Sequence, residues 1–220
     1  MSDDDIRPEG RAPKGRWLAV AIAALAGLVL GAGAYAWQAR QAGREPVFAG
    51  RTAGPEIGGA FQLVDQAGRP VDEKVLKGKW TAVFFGFTSC PDVCPATLQT
   101  LQEATERLGP AADGLQVLFI SVDPERDTPE ALRDYTASFE FPGGFRALTG
   151  SPEQVRGAAK AWKAYYRKRG EGPDYTVDHF TSIYLMDPQG RFARLVPHGM
   201  TPQQVAGEVQ AAMAQGPDRA

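Results

Sequence analysis

The chain is poor in cysteine and histidine, and it carries no excess of basic charge. Its 220 residues include two cysteines and two histidines, and the formal net charge is −2. This charge balance gives no support to nucleic-acid binding, which needs a strongly positive surface. Two cysteines allow one disulfide, one metal site or two free thiols, and they exclude a framework of several disulfides. Chemistry based on sulfur or imidazole is therefore confined to very few positions.

Charge is also absent from residues 17–37, a run of small and apolar residues bounded by Trp17 and Trp37. About 20 apolar residues span a bilayer core, and tryptophan at both ends suits the two membrane interfaces. The run therefore predicts an N-terminal transmembrane helix. A cleaved signal peptide is the alternative, because residues 34–36 (AYA) have the form of a cleavage site. We favour the anchor, because the run is longer than the roughly 7–15 apolar residues of a signal peptide.

The position of this segment divides the chain into five parts. Residues 1–16 are predicted as a cytoplasmic tail, 17–37 as the anchor, 38–54 as a linker, 55–215 as the folded domain and 216–220 as a C-terminal tail. Either reading of the apolar run places the domain in the periplasm or an equivalent extracytoplasmic space. A cysteine pair can form a disulfide there unless something keeps it reduced.

Apolar runs and capped helical patterns predict an α/β domain. Ser151 and Thr201 each begin a capping box with proline at the first helical position, and the turn at residues 187–190 (DPQG) suits a hairpin. The resulting order of strands and helices is typical of a thioredoxin-like fold. The predicted elements are a hairpin from 61 to 71, buried strands at 80–87 and 115–122, helices starting at Pro95, Pro129, Pro152 and Pro202, and hairpin strands at 179–186 and 191–196.

The two cysteines, Cys90 and Cys94, lie between a predicted buried strand and a predicted helix that has Cys94 as its N-cap. A helix N-terminus favours thiolate, the form that attacks disulfides and binds soft metals. A disulfide across three residues would close a very small ring and stabilise the fold little. We therefore expect the pair to be functional, in dithiol exchange or in metal binding. The spacing can place both sulfurs on one side of a helical turn.

A metal bound by two sulfurs would need at least one further ligand. His179 is predicted to open a strand beside the cysteine loop, whereas His198 lies in a turn and is expected to be exposed to solvent. Two thiolates and one imidazole suit Cu(I) and could also serve Cu(II). A single histidine at a strand start is, however, more often an ordinary hydrogen-bonded residue.

The chain resembles the Sco/SenC family over about residues 55–196. The likeness is carried by runs that occur in the family's order: GKW at 78–80, FFGFT at 84–88, CPDVCP at 90–95, SVDPERDTP at 121–129 and YTVDH at 175–179. The resemblance implies a membrane-anchored, thioredoxin-like domain outside the cytoplasm. It also implies that copper is bound by Cys90, Cys94 and His179.

The resemblance further implies a copper metallochaperone, not an enzyme in the strict sense, that assists assembly of the dinuclear copper centre of cytochrome c oxidase. Its expected partner is the copper-binding subunit of the oxidase, and another copper chaperone or a thioredoxin-like reductant could act with it. The alternative is a thiol-disulfide reductase that keeps the copper-ligand cysteines of the oxidase reduced. Both functions use Cys90 and Cys94, but only the first needs His179. A peroxidase is disfavoured, because no Thr-x-x-Cys pattern precedes Cys90.

Several charged residues lie near the expected site. Asp123 and Asp127 belong to the strand-end motif, and we interpret Asp127 as part of a turn and helix cap. Asp178 adjoins His179 and could support that ligand or contact a partner. The basic residues 167–169 are interpreted as a solvated loop that could also contact an acidic partner.

Overall fold

The two apolar runs predicted as buried strands form the centre of a seven-stranded sheet in the computed structural model, which describes residues 57–215. Strands β3 (Trp80–Gly86) and β4 (Leu115–Ser121) are parallel and place Phe84 opposite Phe119. Every residue of β3 is buried, as expected of a strand covered on both faces.

The other strands extend this sheet on both sides. Counting the central pair, the order across the sheet is β2 (Pro70–Asp72), β1 (Gln62–Asp65), β5 (Phe145–Thr149), β4, β3, β8 (Ile183–Met186) and β9 (Phe192–Val196). The hairpins β1–β2 and β8–β9 are antiparallel, and their turns lie where the sequence predicted them. Strand β5 was not predicted.

In the described part of the chain, four α-helices accompany the sheet: α1 (Val93–Leu108), α2 (Pro129–Thr136), α3 (Pro152–Ala161) and α4 (Pro202–Gln215). The capping boxes at Ser151 and Thr201 are both formed, which confirms the prediction. Helix α1 packs against α4, while α2 and α3 contact β5 and β1. None of the helices within residues 57–215 is long and apolar enough to cross a membrane. The predicted anchor at 17–37 lies outside the described residues.

The start of α1 differs from the prediction by two residues. The helix begins at Val93 with Asp92 at the N-cap position, so that Cys94 lies inside the first turn. Pro95 therefore occupies the third helical position. Proline is tolerated there because the first N–H groups of a helix have no partner within it.

A second, two-stranded sheet carries His179. Strands β6 (Tyr166–Arg169) and β7 (Thr176–His179) form this hairpin, in which His179 pairs with Tyr166. The prediction that His179 opens a continuous strand from 179 to 186 was wrong, because His179 ends β7 and β8 begins only at Ile183. The basic residues 167–169, predicted as a loop, lie in β6, although they are exposed as expected.

Candidate metal centre

The cysteine pair lies where β3 ends and α1 begins. Cys94 is completely buried, whereas Cys90 is half-buried on the connecting loop. The backbone N–H of Cys94 donates a hydrogen bond to Cys90 Sγ at 3.4 Å, and both thiols are free. The first turn of α1 therefore places the two sulfurs on the same side of the loop.

Gly86 makes room for the buried sulfur. A Cβ atom at this position would lie 2.8 Å from Cys94 Sγ and 2.8 Å from a ring carbon of Phe119. Only glycine fits there without displacing a neighbour. Sequence reasoning did not identify Gly86 as a site residue, although a glycine inside an apolar strand is itself a signal of close approach.

His179 completes the group from the other sheet. Its Nε2 lies 3.4 Å from Cys94 Sγ, and its Nδ1 lies 2.9 Å from the carbonyl oxygen of Phe180. Since a carbonyl can only accept, Nδ1 carries the proton and Nε2 presents its lone pair to the sulfurs. The rings of Phe84 and Phe87 meet the imidazole edge-on, at centroid distances of 6.0 and 5.7 Å. These contacts fix the orientation of the ring.

Burial sets the protonation of two of the three groups in the metal-free protein. Burial lowers the pKa of His179, so its imidazole is neutral at pH 7, as a metal ligand must be. Burial raises the pKa of Cys94 well above its ordinary value, which outweighs the helix N-terminus. The thiolate form that a helix N-terminus favours is therefore not the form of Cys94 in the metal-free protein. A soft cation would have to displace the thiol proton.

The three side chains brought together are the three that the sequence singled out. The Sγ atoms of Cys90 and Cys94 and a ring nitrogen of His179 all lie within 4.8 Å of one another. Three atoms bound to one metal ion at about 2.0–2.3 Å, spaced about 120° apart, lie about 3.5–4.0 Å from one another. Movements of up to about one ångström would therefore allow all three to bind one ion. An open pocket, lined in part by Phe87, Pro91 and Thr181, leads to Cys90 and His179.

Asp127 lies in a turn, as predicted, but it does not cap helix α2. Thr128, not Asp127, caps helix α2, and the Asp127 side chain is fully buried. Its carboxylate accepts hydrogen bonds from the Thr88 hydroxyl at 2.6 Å and the Ser121 hydroxyl at 2.5 Å. Burial raises the pKa of Asp127 in spite of these donors. Asp127 thus binds the segment that leads to Cys90.

The remaining candidates lie around the group. Asp123 accepts hydrogen bonds from Arg126 Nε and from the Tyr175 hydroxyl, both at 2.5 Å. Asp178 forms an ion pair with Arg169 along the surface of the small hairpin. His198 is exposed, as predicted, and its Nδ1 lies 3.4 Å from the Thr97 hydroxyl. Arg126 and Tyr175 were not singled out by sequence reasoning.

Comparison with protein families gives a match to SCO1/SenC over residues 49–214. The chain is 43% identical over 154 residues to "Protein SCO1 homolog 1, mitochondrial" of Arabidopsis thaliana, covering 69% of this chain and 44% of that protein. It is 37% identical over 163 residues to "Protein SCO1 homolog, mitochondrial" of Mus musculus, covering 72% and 57% respectively. The chain therefore spans about half the length of these relatives.

Solved structures share the fold. Bradyrhizobium japonicum ScoI with copper bound has a TM-score of 0.64 at 42% identity, covering 71% of this chain and 99% of that one. Yeast Sco1 with copper bound has a TM-score of 0.68 at 34% identity, covering 75% and 92%. BsSco has a TM-score of 0.58 at 28% identity, covering 71% of this chain and 94% of that one. BsSco is a member of the Sco family of cytochrome c oxidase assembly proteins, and a disulfide switch has been identified in it. These likenesses confirm the predicted α/β, thioredoxin-like fold.

Proposed function

Because this chain belongs to the SCO1/SenC family, we propose that it is a copper metallochaperone that assists assembly of the dinuclear copper centre of cytochrome c oxidase. The observation that carries the proposal is the convergence of two sulfurs and one imidazole nitrogen within 4.8 Å. Cys90, Cys94 and His179 are the proposed ligands. Copper bound to structural relatives supports this assignment.

The donor set favours copper over other soft metals. Two thiolates and an imidazole give three ligands, which suits Cu(I) and can serve Cu(II). Structural zinc sites almost always have four ligands. Within residues 57–215, no further Cys, His, Asp or Glu joins the group. Three ligands also leave a bound ion open to a ligand from a partner.

The unequal burial of the sulfurs defines where such a partner would approach. Cys94 is enclosed by the core, whereas Cys90 is half-buried and is followed by the exposed residues Pro91 and Asp92. A partner's ligands would therefore reach copper from the Cys90 side. We propose the copper-binding subunit of the oxidase as the recipient, with another copper chaperone or a thioredoxin-like reductant acting upstream. The segment 17–37 is the proposed anchor that holds the domain at the outer face of the membrane.

A thiol-disulfide reductase is the second candidate, favoured by the proximity of the two free sulfurs and by the disulfide switch described for BsSco. Cys90 thiolate would attack a partner disulfide, forming a mixed disulfide and releasing one partner thiol. Cys94, after losing its proton, would then attack Cys90 and release the second thiol. The partner gains two electrons and two protons, and the pair becomes a disulfide.

His179→Ala distinguishes the two candidates, because it removes the imidazole and leaves both cysteines. His198→Ala is the matched control, since it removes the chain's other histidine from an exposed position. For a chaperone, we expect His179→Ala to weaken Cu(I) binding by more than about 100-fold, because even residues that only support a ligand contribute about 10–100-fold. His198→Ala should bind as wild type.

The measurements are competition of the reduced, detergent-solubilised full chain with a chromophoric Cu(I) chelator, and oxidase assembly in cells that lack their own copy. The wild type should bind one copper per chain when reduced and none when oxidised, because a disulfide has no thiolate to donate. Full assembly by His179→Ala, at normal protein level and without added copper, would establish the reductase instead. Copper binding by the oxidised wild type would refute the proposed ligand set.

A further inference from the structure

One loop contacts both halves of the proposed metal centre. Residues 122–128, here named the bridging loop, connect β4 to α2. The cysteines belong to the main-sheet side of the molecule, whereas His179 lies on the small β6–β7 hairpin. Within the described chain, no strand pairing joins that hairpin to the main sheet. Residues 180–182 link His179 to β8 of the main sheet, so the position of His179 relative to the cysteines depends on this short connection and on side-chain contacts.

On the cysteine side, the bridging loop acts through Asp127. Its carboxylate accepts hydrogen bonds from both the backbone N–H and the hydroxyl of Thr88, at 3.1 and 2.6 Å. Thr88 precedes Cys90 by two residues, and the Cys90 N–H donates to the carbonyl of Phe87 at 3.2 Å. These bonds are buried or partly buried, so water competes with them little.

On the histidine side, the bridging loop acts through Asp123 and Arg126. The Arg126 guanidinium donates from Nε to Asp123 and from Nη1 to the carbonyl of Tyr175 at 2.9 Å. It also lies over the Tyr175 ring, 3.8 Å from the centroid, while the Tyr175 hydroxyl donates to Asp123. Tyr175 immediately precedes β7, the strand that ends at His179. A planar guanidinium that makes an ion pair, a carbonyl bond and a ring contact is rigidly held.

Arg126 also approaches the imidazole through an aromatic ring. Its guanidinium carbon lies 5.8 Å from the centroid of the Phe87 ring, and that ring meets His179 edge-on. The Arg126 side chain thus contacts Tyr175, which precedes β7, and Phe87, which packs against the imidazole. Arg126 itself lies outside the ligand group.

We propose that Asp127 and Arg126 of the bridging loop set the distance between the cysteine pair and His179, with Arg126 and Tyr175 as positioning residues for the imidazole. The inference rests on the proposed copper site, which it deepens. Arg126→Gln removes the ion pair with Asp123 and the contact with the Tyr175 ring. Tyr175→Phe keeps the ring and removes only the hydroxyl that donates to Asp123. Glu125→Gln is the matched control, because it removes an exposed ion pair with Lys168 between the same loop and the same hairpin.

The first test is the Cu(I) affinity of the reduced full chain. Arg126→Gln is expected to weaken binding about 10- to 100-fold, the usual effect of losing a group that supports a metal ligand. Tyr175→Phe should act in the same direction, and Glu125→Gln should change affinity less than about threefold, as expected for an exposed pair. In a His179→Ala background, Arg126→Gln should cause no further loss, because its effect passes through the imidazole.

The second measurement is the spectroscopic signature of nitrogen coordination in the Cu(II) form, which a general loss of stability would leave unchanged. It should weaken in Arg126→Gln and remain in Glu125→Gln. Equal losses of affinity with and without His179 would overturn the proposal, as would wild-type affinity in both Arg126→Gln and Tyr175→Phe. If Arg126→Gln fails to fold, the Cu(I) affinity and the Cu(II) spectrum of Tyr175→Phe test the proposal.

Hydrogen exchange separates this proposal from the copper assignment. In the metal-free protein, the Phe180 N–H donates to the carbonyl of Tyr165 at 2.8 Å and reports on the hairpin. Arg126→Gln should accelerate exchange at Phe180 and leave the amides of α1 unchanged. If the wild type binds no copper, the proposed function fails, and this exchange alone decides the positioning role. Unchanged exchange at Phe180 would overturn it.

Discussion

Gly86→Ala should damage the metal centre more than it damages the fold. The added Cβ would meet Cys94 Sγ at 2.8 Å, a Phe119 ring carbon at 2.8 Å and a Phe84 ring carbon at 3.1 Å. Carbon contacts are optimal at about 3.5–4.0 Å, so each neighbour is too close by several tenths of an ångström or more. One of them must move.

The sizes of the effects on stability and on Cu(I) affinity depend on which neighbour moves. Overpacking of a filled core costs about 1–3 kcal/mol, and alanine recovers about 0.5–1 kcal/mol by restricting the unfolded chain. We therefore expect a net loss of between about 0 and 2.5 kcal/mol in the free energy of unfolding. The sulfur is the neighbour proposed as a metal ligand, and a displacement comparable to the overlap would break a bond of about 2.3 Å. Cu(I) affinity should therefore fall by at least about tenfold.

Urea unfolding and Cu(I) competition on the same preparation test this reasoning. Gly157→Ala is the matched control, because Gly157 is exposed within α3 and a Cβ there meets nothing within 4 Å. That substitution should stabilise the protein by about 0.5–1 kcal/mol and leave copper binding unchanged. Wild-type copper affinity in Gly86→Ala would refute the argument, because it would mean that the sulfur position does not depend on Gly86.

Three further predictions concern protons, a helix cap and the membrane. Burial raises the pKa of Cys94 and lowers that of His179, so copper competes with the thiol proton at neutral pH. Competition titrations should therefore show Cu(I) affinity rising about tenfold per pH unit for each thiol proton released. An affinity that stays constant from about pH 6 to 8 would contradict this prediction. Ser151→Ala removes the cap of α3 and should cost about 1 kcal/mol in urea unfolding without changing copper affinity, unlike Gly86→Ala. Residues 17–37 should keep the protein in the membrane fraction with the domain outward, and a soluble mature form beginning near Trp37 would establish the signal peptide instead.

The parts of the fold that sequence predicted are those determined by local signals. The runs at β3 and β4 are nearly continuous in apolar residues because both faces of these strands are covered, and such runs can be recognised in the sequence alone. The capping boxes at Ser151 and Thr201 require only residues three positions apart. The three proposed ligands could be singled out because the chain has so few cysteines and histidines, and because the surrounding motifs resemble a known family.

The misassigned parts depend on contacts distant in sequence. Residues 179–186 read as one strand, but Phe180 donates its N–H to Tyr165, which separates β7 from β8. The basic residues of β6 are exposed and lack the alternation that marks a half-buried strand. Asp127 resembles a helix cap because Thr128 follows it, yet its partner Thr88 lies 39 residues away. Charge alone could not reveal that this carboxylate is buried.

The chemistry available at the centre follows from the different surroundings of the two sulfurs. Cys94 is enclosed by Gly86 and the aromatic core, and burial favours its neutral thiol, so it is poorly suited to begin a reaction with another protein. Cys90 is half-buried beside an open pocket, so an exchange of either copper or electrons would begin there. The two proposed functions therefore share their first contact at Cys90. They diverge at His179, because a disulfide exchange needs no imidazole, whereas within residues 57–215 that ring is the third ligand available to a copper ion held by the two sulfurs.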